Sequence, residues 1–343
     1  MFYPEKCNEC GICLSSCRYS GLSIDEAREQ IRDLKADKPA RILTDCITCM
    51  ACNEFCPEGA NPYDLILSQQ EKQAIRMVPP EAVAGIEKTL GGQPSQVVKG
   101  DSGKPVLCLC TMEQAFPAGI LDSSLFEGMT IARGGDFFSR IVYLHTGMES
   151  VVKHHARDFI NSLSAIGCSE VVFVHADCYV LAAHKAKEYG VDVPFKPVHI
   201  VEYLLSQLKQ RKADIIPLNC RAAWHRPCIS RYTPEIEPLV DQLFALIGVT
   251  RVERVYDRKE ALCCGLGLQG TDVERKEELA RLNFEDAVSH QAGAMVFLCP
   301  GCYTALGSSC ENYGLNSIFL TDLCRMAIGE LPVPSLLKAA GNS

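Results

Sequence analysis

Five thiols in the last third of the chain have types and spacings that could hold a metal cluster: Cys228, the adjacent Cys263 and Cys264 followed by Gly265, then Cys299 and Cys302. Thirty-four residues separate Cys228 from Cys263, and thirty-four again separate Cys264 from Cys299. A single mononuclear site needs four ligands, usually from two short loops, so a vicinal pair with three distant partners fits one poorly. The set suits a polynuclear iron–sulfur centre, with a zinc site or simple cubane on four of the five as the alternative. Such a centre moves electrons.

The amino terminus points the same way independently. Cys7, Cys10, Cys13 and Cys17 run C-x2-C-x2-C-x3-C, and Cys46, Cys49, Cys52 and Cys56 repeat the run and close it with Pro57. This is the spacing of bacterial two-cluster ferredoxins, in which the fourth cysteine of each run serves the other cluster. One [4Fe–4S] cubane is therefore expected on Cys7, Cys10, Cys13 and Cys56, and a second on Cys46, Cys49, Cys52 and Cys17. A disulfide framework or zinc knuckles would have to arise from two matched runs of four by coincidence.

The rest of the composition narrows the class. The chain has 343 residues, twenty cysteines and a formal charge of −8. It opens Met-Phe-Tyr-Pro-Glu-Lys with no signal-peptide pattern, so reduced thiolates in a cytoplasmic setting are expected rather than disulfides. No apolar run approaches the ~20 residues that span a bilayer, so membrane association is expected only through a partner. The acidic balance argues against nucleic acid, which calls for a basic face. Cys168, Cys220, Cys310 and Cys324 sit in apolar or helical contexts and are expected to pack as small hydrophobes.

These thiols need elements to carry them. Residues 1–75 read as an α-helical two-cluster domain, with a helix over 23–34 burying Ile24, Ala27, Ile31 and Leu34. Residues 76–104, rich in Pro and Gly, read as a connector. Residues 105–343 form a tandem repeat once the cysteines serve as rulers. Cys110 precedes His145-Thr146-Gly147 by the interval that separates Cys228 from Cys263-Cys264-Gly265, and His175-x-x-Cys178-Tyr179 matches Cys299-x-x-Cys302-Tyr303. The strands leading in, over 170–174 and 294–298, are alike. Helices come after the first of these sites in each half, one burying Val151, Val152, Phe159, Ile160 and Leu163, the other Val273, Leu279, Leu282 and Val288. Strand–helix alternation predicts two α/β lobes, 105–212 and 213–343, with ligands at the ends of parallel strands.

The single Cys, the Cys-Cys-Gly and the Cys-x-x-Cys, with His225-Arg-Pro-Cys228 as approach, resemble the cysteine-rich CCG domain of heterodisulfide reductases. The same domain occurs in glycolate oxidase iron–sulfur subunits, in the sulfite-reductase-associated oxidoreductase and in electron-transfer subunits of class II benzoyl-CoA reductases. The whole chain resembles a ferredoxin-type subunit fused to a CCG-type one. The resemblance implies a non-cubane [4Fe–4S] cluster on Cys228, Cys263, Cys264, Cys299 and Cys302. It also implies flavoprotein or catalytic redox subunits as partners, and electron relay from two cubanes to the last cluster. An alternative is direct reduction of a disulfide or trisulfide there, with His225 as proton donor and Arg226 holding a substrate anion. The first lobe departs from the pattern and keeps Cys110, His145, His175 and Cys178, a tetrahedral zinc set in type, with Cys108 as a substitute ligand. The other reading of that lobe is a vestigial site with packed histidines.

Overall fold

Capping explains where the longest helix of the amino-terminal block begins. Ser23 and Glu26 form a reciprocal capping box at the head of Ile24–Lys35, Asp25 and Glu26 lie in its first turn, and Arg32 and Lys35 in its last. Ala27, Ile31 and Leu34 are buried as the periodicity predicts, whereas Ile24, in the first turn, is exposed. Two one-turn helices, Ile12–Ser15 and Ala51–Phe55, carry the middle cysteines of each run. Gly11 sits at φ 77° before the first, where a Cβ would meet the Arg28 backbone nitrogen at 2.9 Å, so only glycine fits there. Helix Pro62–Lys72, started by proline, closes the block, and Tyr63 donates its hydroxyl hydrogen to the Leu144 carbonyl of the next domain.

The computed structural model describes residues 1–76, 78–334 and 337. Residue 77 of the expected connector and residues 335, 336 and 338–343 of the expected last lobe lie outside the described residues. Among the described residues, nine strands form two sheets. In chain order they are β1 Gln96–Val98, β2 Val106–Cys110, β3 Thr130–Arg133, β4 Glu170–Phe173, β5 Lys196–His199, β6 Cys220–His225, β7 Val249–Arg251, β8 Ala294–Phe297 and β9 Asn316–Phe319. The first sheet runs β1-β3-β2-β4-β5 and the second β7-β6-β8-β9, with every pairing parallel except β1 with β3. Without β1, the two orders are the same path traced twice, which is the repeat in three dimensions. Gly147 and Gly265, at matched positions, are both left-handed, at φ 78° and 73°. The central strands β2 and β8 are buried along their whole length, as parallel strands covered on both faces must be.

Two expectations give way here. The segment read as a connector contains a helix, Pro80–Ile86, a wider helical turn, Glu87–Gly91, and the edge strand β1. Its proline and glycine content concealed long-range partners: Arg140 and Tyr143 both hold the Glu87 carboxylate, and Gly134 and Gly135 let the 91–95 backbone approach closely. In helix Val273–Ser289 only Leu279 of the four anticipated residues is buried, while Val273 and Val288 are exposed. That helix seats itself with Asn283, Phe284, Asp286 and Ala287 instead. In helix Glu149–Ser164, Val152, Phe159, Ile160 and Leu163 are buried and Val151 is partly so.

The three parts are pinned by buried charge. The Lys185 ammonium, fully buried, contacts the Asp64 carboxylate of the amino-terminal block and Glu188 at 2.9 Å, and Tyr232 of the last lobe donates to Asp64 at 3.1 Å. Burial raises the Asp64 pKa, but Lys185 and the chain's amino terminus outweigh it and hold the carboxyl below its usual range. A second pin joins Glu54, beside the ferredoxin cysteines, to Arg226 at 2.7 Å and Arg231 at 2.7 Å.

Candidate iron–sulfur sites

Each of the five carboxy-terminal cysteines sits where a parallel strand ends or a tight loop returns to that edge. Strand β6 delivers Cys228 through Pro227, which caps the 3₁₀ turn Cys228–Tyr232. Strand β8 delivers Cys299 at the cap and Cys302 in the first turn of helix Pro300–Leu306. Cys263 and Cys264 come from a loop closed by left-handed Gly265, where a Cβ would meet Lys276 Cγ at 3.0 Å. Their sulfurs meet in a row. Cys228 Sγ lies 3.5 Å from Cys263 Sγ; Cys264 bonds both Cys263 and Cys302; Cys302 bonds Cys299.

The electrostatics follow from that row. Neighbouring thiols donating to Cys263, Cys228 first, hold it well below the usual thiol range, and Cys302 first of all brings Cys299 down to about 5. Their donors shift the other way, with Cys263 foremost in raising Cys228 and Cys264, and Cys264 in raising Cys302. Five buried or half-buried thiols sharing protons side by side form a soft, multidentate donor set that fits iron and sulfide.

The eight amino-terminal cysteines sort into two groups. Burial pushes Cys13 up to about 12, reinforced in turn by Cys56, Cys10 and Cys7. Burial likewise raises Cys52, reinforced by Cys46, Cys13, Cys49 and Cys17. A cavity of about 30 Å³ is lined by Cys17, Cys46, Cys49 and Cys52. Cys13, acting on Cys52, links the two groups. Cys49 in turn feels Cys263, and Cys228 feels Cys49. Tyr19 stands at this junction, its hydroxyl oxygen accepting from the Cys263 amide at 3.1 Å; burial first, then Cys49 and Cys263, hold its hydroxyl well above the usual tyrosine range. Three thiol groups therefore lie end to end.

The two expected catalytic residues are placed differently from expectation. Arg226 is buried and turned toward the ferredoxin block, with both amino groups on Glu54, so it is spent on a domain contact and cannot hold a substrate anion. His225 stands behind the cysteines, grouped with Cys264 and Cys302 within 4.8 Å, and its Nε2 has no hydrogen-bond partner among the described residues. Burial, then Arg254, lowers its pKa to about 4, which keeps the ring neutral and unfit to store a proton near neutrality.

The zinc set is also altered. Cys110, His175 and Cys178 bring their ligand atoms within 4.8 Å of one another and are all buried. His145 is not among them; its ring instead faces the dicluster domain, with Nδ1 3.1 Å from the Thr48 carbonyl and 3.2 Å from its hydroxyl. Cys108 hydrogen-bonds Cys178. A bulge in β2 between Cys108 and Cys110 leaves Cys110 at φ 60°, a strained value for cysteine. Asp177 lies 3.5 Å from His175 Nε2, and His175 also touches Cys299, so this group adjoins the five-cysteine row.

Against that row opens a cavity of about 360 Å³. Cys228, Cys263, Cys264, Cys299 and Cys302 line one end, and Ile47, Ile86, Leu90, Phe138 and Val142 line much of the rest. His145, His175 and Asp177 are its titratable residues besides the thiols. Sequence reasoning missed Tyr19, Glu54 and Arg231 as the joint between the blocks. The one local signal was their position within or just beyond cysteine motifs.

Comparison with known proteins agrees with this geometry. A model of the 4Fe-4S dicluster domain matches residues 6–61, and a model of the cysteine-rich CCG domain matches residues 222–307. The chain is 24% identical over 289 residues to one of the subunits of dihydromethanophenazine:CoB–CoM heterodisulfide reductase from Methanosarcina acetivorans, covering 75% of this chain and 70% of that protein. Over 69 residues it is 41% identical to one of the subunits of the ferredoxin/F420H2-dependent CoB–CoM heterodisulfide reductase of the same organism, 18% of this chain and 40% of that one. A solved structure of a hypothetical protein from Helicobacter pylori shares the fold, with a TM-score of 0.59 at 13% identity over 88% of this chain, which spans 65% of that structure's length. With both cysteine-rich domains matched, the chain joins a 4Fe-4S dicluster domain to a cysteine-rich CCG domain in one polypeptide and is similar to heterodisulfide reductase subunits.

Proposed function

We propose that the chain is an electron-transfer subunit of a heterodisulfide-reductase-like redox complex. In this reading Cys7, Cys10, Cys13 and Cys56 hold one cubane, Cys46, Cys49, Cys52 and Cys17 a second, and Cys228, Cys263, Cys264, Cys299 and Cys302 a non-cubane four-iron cluster. Bound there, such clusters accept and release electrons singly, at potentials set by hydrogen bonding and burial. The chain's own residues set the spacing. Glu54 clamps Arg226 and Arg231, and Tyr19 bridges the second thiol group and Cys263. The observation that carries the reading is the junction of the second thiol group with the last site: one cavity is lined by Cys17, Cys46, Cys49 and Cys52 together with Tyr19 and Ala261, and the Tyr19 hydroxyl accepts from the Cys263 amide at 3.1 Å.

The first lobe's Cys110, His175 and Cys178, with Cys108 as the fourth ligand in place of His145, hold a structural zinc in the same reading. Partners are a flavoprotein, catalytic redox subunits, or both, in the cytoplasm. No described helix is long and apolar enough to cross a membrane, so membrane association runs through a partner. Nucleic acid is not a partner. Anaerobic affinity isolation from the native organism tests the role. Co-isolation of a flavoprotein or a second redox subunit is the expected result; a lone chain that cleaves disulfides unaided would overturn it. That outcome would favour the second reading, disulfide or trisulfide reduction at the last site, which the open cavity beside the five sulfurs supports.

A further inference from the structure

The cavity beside the five cysteines has a chemical character that narrows what it can receive. At about 360 Å³, with much of its wall apolar, it falls within the range of small-molecule sites. A cluster on the cysteines would take up one end and leave the apolar remainder. That remainder draws on three parts of the chain: Ile47 from the dicluster domain, Ile86 and Leu90 from the helical segment before β1, and Phe138 and Val142 from the first lobe. Among the described residues its lining has no lysine or arginine. Arg226, the cation nearest the cysteine motif in sequence, is committed to Glu54 outside the cavity.

The polar side chains that line it besides the thiols are few. His145 is fixed through Nδ1 on the Thr48 carbonyl, which leaves its Nε2 as the uncommitted ring nitrogen. His175 is held by Asp177 at 3.5 Å, and Ser139, Thr48 and Thr146 bring hydroxyls to the lining. Burial lowers the His175 pKa, but Asp177, first among its neighbours, outweighs it and holds the ring on its cationic side. Asp177 already faces that ring at 3.5 Å, so an anion entering this wall meets no unpaired cation; moving a sulfonate, phosphate or carboxylate there from water costs several kcal/mol or more. A flat, uncharged ring with carbonyl oxygens loses far less and gains from burial of its faces.

We propose that this cavity is a binding site for an uncharged, apolar carbonyl-bearing ring of the quinone class, and that it excludes anionic thiol coenzymes. The proposal rests on the five-cysteine reading only for what fills the cysteine end. It concerns binding and adds no reaction step.

The test uses full-length, anaerobically isolated, iron-loaded protein with two probes. Duroquinone, fully substituted and so unable to alkylate thiols, is the neutral probe; bis(2-sulfonatoethyl) disulfide is the anionic one. Retention is measured by equilibrium ultrafiltration. Duroquinone is expected to bind at least tenfold more tightly than the disulfide. Leu90→Glu, which puts a carboxylate in the apolar wall, and Val142→Phe, which fills it, are each expected to weaken duroquinone binding at least tenfold with iron content and visible absorption unchanged. Equal or tighter binding of the disulfide, or duroquinone binding indifferent to both substitutions, overturns the proposal. Should a variant lose iron, the two-probe comparison on the unaltered chain still decides. Protein that carries no iron on the five cysteines refutes the cluster reading, whereas full iron with no duroquinone bound refutes only the ligand assigned to the cavity.

Discussion

Replacing Glu54 by glutamine should uncouple the dicluster domain from the last lobe. Its carboxylate meets Arg226 at 2.7 and 2.8 Å and Arg231 at 2.7 Å, and both guanidiniums are buried. Opposite charges about 4 Å apart attract by about 4 kcal/mol at an effective dielectric near 20, and breaking a buried pair from one side costs about 3–5 kcal/mol. The loss is softened because Arg226 keeps Glu237 at 3.4 Å, while Arg231 keeps the carbonyls of Lys259 at 2.9 Å and Ala261 at 2.7 Å. The low end therefore applies, about 3 kcal/mol. Anaerobic urea unfolding followed by circular dichroism reads it as a lowered midpoint. The double variant Glu54→Gln, Arg226→Met should recover part of the loss, since it also removes one stranded charge. A cost below about 1 kcal/mol, the value of a solvent-exposed pair, would refute the buried clamp and with it the fixed joint between the thiol groups.

Other expectations rest on single sites. Cys228→Ser should reduce iron by about four per chain while leaving the two amino-terminal cubane signals in the low-temperature EPR spectrum; loss of those signals too would contradict separate sites. Gly265→Ala forces a side chain into a left-handed residue against Lys276 Cγ at 3.0 Å, costing about 1–2 kcal/mol and lowering iron occupancy of the last site alone. His199, fully buried, has its pKa pushed down to about 3 by desolvation, while its Nδ1 accepts from the Val201 amide at 3.2 Å to cap helix Ile200–Gln210. The unfolded chain takes up that proton first. Its stabilising contribution is therefore complete above about pH 6.5 and fades as pH falls toward 3, by up to about 1.4 kcal/mol per pH unit. His199→Asn keeps a capping acceptor and should flatten that slope in urea midpoints measured from pH 7 to 5; an unchanged slope would refute the assignment.

The sequence carried the sites unevenly, for physical reasons. The ferredoxin runs were legible because cluster geometry constrains local spacing: Cys13 keeps company with Cys7, Cys10 and Cys56. The duplicated lobes were legible because Cys110, His175 and Cys178 close or follow β2 and β4 as Cys228, Cys299 and Cys302 follow β6 and β8, so their spacing copies the spacing of those strands. What escaped was nonlocal. His145 has the residue type of a zinc ligand, yet its ring turns to Thr48 in another domain and stands apart from Cys110, His175 and Cys178. Arg226 has the type of an anion holder, yet Glu54 lies opposite it. The 76–104 segment looked like a linker because its strand β1 pairs with β3, whose residues lie more than thirty positions onward. In each case the deciding partner was remote in sequence.

The most direct test of the assembled thiols is iron analysis with Mössbauer spectroscopy on anaerobically isolated full-length chain. Three occupied sites require about twelve irons per chain, with a third spectral component beyond the two cubanes that vanishes in Cys263→Ser. About eight irons, a spectrum of cubanes only, and no change in Cys263→Ser would show that the five carboxy-terminal cysteines hold no cluster.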